Sequence, residues 1–164
     1  MKKLASLFIL FTSILFFQNQ SISAEKPKFL ETDWTFKGLF GKYDRGALKR
    51  GYHCEIDICK FDGEKFYLGH DEPGEAVTLD WLQVNQVWCH AKDYKVLEAM
   101  ITLGVHCFWH QSDKYTLTSR GWIWAYPGQP GGRYTIAVHP EKLHPGDVQK
   151  FAGVCSDYVE KFDD

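Results

Sequence analysis

At 164 residues, with 45% apolar and 16% aromatic side chains, the chain has material for one sizeable core and is too short for several domains. Its 19 Lys and Arg against 21 Asp and Glu give a net charge of −2, or −4 once Lys2 and Lys3 leave with a leader, and that balance excludes electrostatic capture of nucleic acid. Five cysteines are an odd number, so a monomeric exported chain keeps at least one thiol, and no Cys-x-x-Cys spacing suggests a zinc knuckle.

Residues 1–24 read as a secretory signal peptide: Lys2 and Lys3, an apolar block over 4–17, a polar stretch, and small residues before Glu25. The block is shorter than the ~20 residues of a membrane span. Cleavage near Ser23 or Ala24 and export to the periplasm or beyond are therefore expected. An uncleaved leader is the one membrane attachment this reading allows. Residues 25–51 form an arm and 52–164 the domain proper.

From Gly51 the sequence alternates. In a β-strand His53, Glu55, Asp57 and Cys59 share one face, while Cys54, Ile56 and Ile58 share the other. The pair Asp62-Gly63 between two β-rich runs signals a tight hairpin, which sets Ile58 opposite Tyr67, Asp57 opposite Leu68 and Glu55 opposite His70. Glu55 and Asp57 would then stand ~7 Å apart on one face. Such oxygen ligands suit a hard ion, Mg²⁺ or Ca²⁺, with His70 close by for proton transfer. The alternative is a solvated hairpin whose charges are idle.

Residues 75–86 read as a short helical or loop passage and 87–92 as a strand. Val96, Leu97, Met100 and Ile101 recur at helical spacing over 94–103, with Gly104 as the stop, and a strand follows over 105–110. Strand, helix, strand with short links is the pattern of parallel α/β packing. Trp124 and Tyr126 share a face of the 121–127 segment, as the floor of an apolar pocket or as plain aromatic core. A loop over 128–132, a strand over 133–138 ending in His139-Pro140, and a closing strand within 152–158 complete the chain. Pro145 and Gly146 are read as breaking any helix before Val148.

The pattern Glu55-x-Asp57, Asp62-Gly63, His70-Asp71 resembles the core signature of the glycerophosphodiester phosphodiesterase family, within the phospholipase-C-like phosphodiesterases. His110-Gln111, Thr116-Leu117-Thr118-Ser119 and Ile123-Trp124-x-Tyr126-Pro127-Gly128 are similar to a block of its short bacterial and phage-encoded members, and Gly153-Val154-x-Ser156-Asp157 resembles its closing strand. The resemblance implies a small or incomplete TIM-type (β/α) barrel, since about six strands and two or three helices fall short of the ~250 residues of a full one. It implies metal-dependent hydrolysis of a glycerophosphodiester-type small molecule, with Glu55 and Asp57 as metal ligands and His70 as an acid or base. His90 stands where that family has a third acidic ligand, a change that moves metal preference toward Zn²⁺ or Mn²⁺. Lys92 would hold a phosphate oxygen, His110 would join the catalytic residues, and Gln111, Trp124 and Tyr126 would bind substrate. The family's first-strand His-Arg-Gly motif is missing. His53 is the nearest stand-in, from the wrong strand, and loss of the first strand implies an open sheet edge. A barrel without activity that binds phosphate esters or a partner is the alternative.

A second resemblance lies upstream. Trp34 to Arg45, then Ala47-Leu48-Lys49-Arg50-Gly51-Tyr52, is similar to the mature amino terminus of the c-type cytochrome subunit of the bacterial respiratory bc complex. In that family the segment runs into a Cys-x-x-Cys-His haem site. Here Gln86 stands three residues before Cys89-His90, so no haem is expected. The arm reads as joined to a different domain by gene fusion or by an assembly error. A haem-less respiratory fragment is the further alternative, and nothing in the sequence sets the oligomeric state.

Overall fold

A computed structural model of the chain describes residues 28–30 and 48–162; the leader and the Trp34–Arg45 segment lie outside them. The strands are β1 (Lys28–Leu30), β2 (His53–Phe61), β3 (Phe66–Leu68), β4 (Ala76–Val77), β5 (Val87–Ala91), β6 (Cys107–Phe108), β7 (Tyr115–Leu117), β8 (Ile123–Ala125), β9 (Thr135–Val138) and β10 (Gly153–Ser156). The helices are α1 (Leu79–Leu82), α2 (Tyr94–Thr102) and α3 (Pro145–Val148), with 3₁₀ turns at Pro140–Lys142 and Val159–Phe162.

Strand β2 organises the sheet. It pairs in parallel with β5 along Cys54–Ile58, with β1 at His53 and Cys54, and antiparallel with β3 over its last residues. From β6 the parallel run proceeds through β5, β2, β1, β10 and β9 to β8. The antiparallel pieces β3–β4 and β7 hang from it. Every residue of β5 is buried, as a parallel strand covered on both faces should be.

The alternation read from the sequence sorts the side chains. Ile56 and Ile58 pack with Val87, Cys89, Ala91, Val96 and Met100 under α2. On the opposite face Trp88, Phe108, Trp124, Ile136 and Cys155 form a second core. Helix α2 starts where Asp93 accepts the Val96 backbone N–H at 2.9 Å, which satisfies one of its open donors.

Several expectations need correction. The architecture is an open mixed sheet, not a TIM-type barrel. No ladder joins β6 to β8; Ser119 covers the β6 edge instead, its N–H donating to the Cys107 carbonyl at 2.8 Å and its Oγ accepting from Cys107 N–H. The β6–β8 and β8–β9 links carry no helix, so the repeating cover of helices that a barrel needs is missing. The open edge expected from loss of a first strand is filled by Lys28–Leu30 from the arm, which lies between β2 and β10.

The hairpin register also differs. The turn spans Asp62 to Lys65, because the Asp62 carboxylate accepts the Glu64 and Lys65 N–H groups at 2.9 and 2.8 Å, and Gly63 takes φ +102°. Phe61 thus opposes Phe66 and, after an irregularity at Cys59, Ile58 opposes Leu68 rather than Tyr67. Pro145 begins a helical turn instead of preventing one, since the first position needs no N–H. All five cysteines carry thiols and none is bridged. Among the described residues no helix is long and apolar enough to cross a membrane.

Candidate functional site

At the carboxyl-terminal end of the parallel strands lies a cleft of about 630 Å³. Ligands gather there in α/β sheets because the strand ends diverge and loops supply side chains. Parallel pairing of β2 with β5 sets Asp57 beside His90 and Glu55 beside Trp88, so both carboxylates and the imidazole face the cleft.

One ligand atom from each of Glu55, Asp57 and His90 lies within 4.8 Å of the others, a group that could hold a metal ion. His90 Nδ1 is 3.4 Å from Glu55 Oε1 and 3.1 Å from Asp57 Oδ1. Ligand atoms each ~2.1 Å from one cation and ~90–110° apart are separated by ~3.0–3.4 Å, so both separations from His90 fit. On its other side His90 Nε2 donates to the His110 carbonyl at 3.5 Å, a long bond that leaves Nδ1 turned toward the carboxylates. Two carboxylates with one imidazole suit Mn²⁺ or Zn²⁺ better than an all-oxygen set would.

Lys92 follows β5 and places Nζ 2.9 Å from Asp57 Oδ1 and 3.2 Å from His90 Nδ1. The second contact is a hydrogen bond only when Nδ1 bears no proton, the state that ligation also requires. The other Asp57 oxygen, Oδ2, meets His70 Nδ1 at 2.7 Å. His70 therefore engages Asp57, not Glu55 as the two-residue turn implied. Gly69 ahead of it has φ +142°, and a Cβ there would sit 2.1 Å from the Glu72 carbonyl oxygen, so the chain reaches His70 through a bend open only to glycine.

Burial pushes the Glu55 carboxyl up, against the opposing pull of His90. Burial acts on Asp57 the same way, but its hydrogen bond to His90 and the Lys92 ammonium outweigh it and bring the group to about 2. Burial pulls His90 down, and its bonds to Asp57 and Glu55 overcome that and raise it to about 9. Without an added cation the cluster thus holds its proton on the imidazole.

His110 lines the cleft with its ring stacked on His90, centroids 4.5 Å apart and planes 10° apart. Burial, then the positive His90 and Lys92, lower it to about 4, and its buried Nδ1 makes no hydrogen bond. Trp124 and Tyr126 also line the cleft, Trp124 buried against Phe108 at 4.7 Å between centroids and Tyr126 half exposed. Gln111 is exposed and does not line it. His53 is no stand-in for a missing base: its Nδ1 accepts the Trp88 indole N–H at 2.8 Å, away from the cleft. Asp113, His139, Lys142 and Asp157 line the cleft without having been singled out. The signal that finds three of them is position just past a parallel strand, His139 and Lys142 after β9 and Asp157 after β10.

Comparison with known proteins corrects the family reading. The chain matches no family model and no solved structure, so membership of the glycerophosphodiester phosphodiesterases is not supported. Among curated proteins it is similar to the cytochrome b/c1 of Bradyrhizobium diazoefficiens, 38% identical over 63 residues, which is 38% of this chain. The chain spans 9% of that protein's length, too little to place it in the cytochrome family.

Proposed function

We propose that the chain is a metal-dependent hydrolase of small phosphodiesters, of the glycerophosphodiester type, acting after export. The observation that carries this reading is the convergence of Glu55, Asp57, His90, Lys92 and His70 on one cleft. A divalent cation at the cluster would polarise the phosphoryl oxygens. Glu55, Asp57 through Oδ1, and His90 through Nδ1 are the groups that would hold it. Asp57 Oδ2 fixes the Nδ1 side of His70, so His70 Nε2 is the atom that passes a proton to the leaving alkoxide. The Lys92 ammonium neutralises charge that builds on the phosphoryl group. Trp124 and Tyr126 offer an apolar wall to the alcohol.

A second reading, a site that binds phosphate esters without turnover, is favoured by one observation. Lys92 already sits inside the acidic cluster and satisfies it without an added ion.

The two readings part on bis-p-nitrophenyl phosphate and glycerophosphocholine assayed with Mn²⁺ and after chelation. Mn²⁺-dependent release of product, reduced ~100-fold or more in Asp57→Asn, is expected. Binding with no turnover would leave only the second reading.

A further inference from the structure

Just ahead of β7 the cleft carries a carboxylate that nothing above uses. Asp113 lines the cleft, is exposed, and makes no side-chain hydrogen bond or ion pair among the described residues. The Tyr126 N–H donates to the Lys114 carbonyl at 2.9 Å, so the chain entering β7 and the chain leaving β8 are held together at the rim. Tyr126 stands 50% exposed, its ring 6.4 Å from that of His110 and nearly perpendicular to it. Asp113 acts on the same ring: burial, then the positive His90 and Lys92, lower His110, and the Asp113 charge opposes them. His110 is in turn stacked on His90 with centroids 4.5 Å apart. Asp113 and Tyr126 are therefore neighbours of one imidazole that reaches the acidic cluster. Neither makes an ion pair or ring contact with Glu55, Asp57, His90 or Lys92, whose close contacts are with one another, His70 and His110.

We propose that Asp113 and Tyr126 form a subsite for the quaternary ammonium group of an amino alcohol, next to the Glu55, Asp57 and His90 cluster. A quaternary ammonium has no N–H to donate, so aromatic surface and a nearby anion recognise it instead of hydrogen bonds. Tyr126 supplies the surface and Asp113 the charge. A neutral alcohol would leave the carboxylate unused, and an anionic one would meet repulsion from it. If the phosphodiesterase reading holds, on which the substrate assignment rests, the preferred diester has a leaving alcohol that carries this group. The ion cluster takes its phosphate while Asp113 and Tyr126 take the cationic head.

The test titrates the full chain, metal-free after chelation, with choline and with its uncharged carbon analogue, in which a tert-butyl group replaces the trimethylammonium. Amide NMR shifts follow the binding. Saturable binding of choline is expected, about fivefold tighter than that of the analogue. Asp113→Asn and Tyr126→Leu should each weaken it about threefold, while Tyr126→Phe, which keeps the ring, should restore it. No saturation, affinity equal to that of the analogue, or affinity unchanged in either Asp113→Asn or Tyr126→Leu overturns the subsite, as does a Tyr126→Phe chain no better than Tyr126→Leu. A parallel Mn²⁺ titration reads the acidic cluster separately: failure of Mn²⁺ to bind removes the proposed function and leaves the subsite to its choline result. With Mn²⁺ bound, kcat/KM for glycerophosphocholine should exceed that for glycerophosphoglycerol about fivefold, and Tyr126→Leu should shrink that preference about threefold. No preference, or one unchanged by the substitution, overturns the substrate assignment.

Discussion

His90 in β5 and His106, just ahead of β6, are both buried, 9% and 1% exposed, yet their chemistry diverges. His90 stands between two carboxylates and is raised to about 9. His106 packs its ring 4.1 Å from Trp88, shares one nitrogen with the Thr118 hydroxyl at 3.0 Å, and leaves Nδ1 without a hydrogen bond. Burial, then Arg120 and His53, lower it to about 3. Burial penalises the charge on both rings. What separates them is whether an anion is within reach or, as at His106, other cations are, and that makes the surroundings of one ring a charged site and those of the other a neutral core.

The largest break in this contrast comes from removing the anion. Asp57→Ala leaves His90 and Lys92 facing a single carboxylate in a largely buried place, and we expect the metal-free protein to lose about 3 kcal/mol by urea denaturation at pH 7. A loss under 1 kcal/mol would mean that solvent already screens the pair.

The contrast also fixes opposite pH slopes for metal-free protein. His106, folded near 3 against an ordinary 6.5, leaves the unfolded chain binding the extra proton as pH falls. His110, folded near 4, acts in the same direction, so stability should drop by about 2.8 kcal/mol per pH unit between about 6.5 and 4, and His106→Phe should roughly halve that slope. His90, folded near 9, contributes stability that is complete below 6.5 and lost as pH rises through 9. His90→Gln should flatten that alkaline limb. Denaturation midpoints from pH 4 to 9 measure both, and limbs unchanged by the substitutions would contradict the assignment.

The smallest effect is at Thr118. Its Oγ1 accepts the Trp122 N–H at 3.2 Å besides meeting His106. Thr118→Val should cost about 1–2 kcal/mol in the same assay, because it strands a buried ring nitrogen.

How much of this was legible in the sequence differs along the chain. The period-two pattern from His53 to Cys59 placed Glu55 and Asp57 on one face correctly, because a strand buried on its other side leaves little choice of register face. His90 and Lys92 joined them because a parallel partner strand preserves that alternation. The pairing of His70 was misread because Asp62 caps two backbone N–H groups with its side chain, which lengthens the turn and shifts the register. His139 and Lys142 line the cleft but were not singled out, although they follow β9, a strand the sequence did mark, and that position was the available signal. The small or incomplete TIM-type barrel failed for a global reason: whether the outer strands of a sheet pair depends on loops such as that of Ser119, which no periodicity encodes.

Mn²⁺ binding to the native chain and to Asp57→Asn, followed by calorimetry at pH 7, tests the acidic cluster most directly. One ion per chain is expected, with affinity reduced about tenfold or more by the substitution. No binding to the native chain, or equal binding by the variant, would contradict a metal centre built from Glu55, Asp57 and His90.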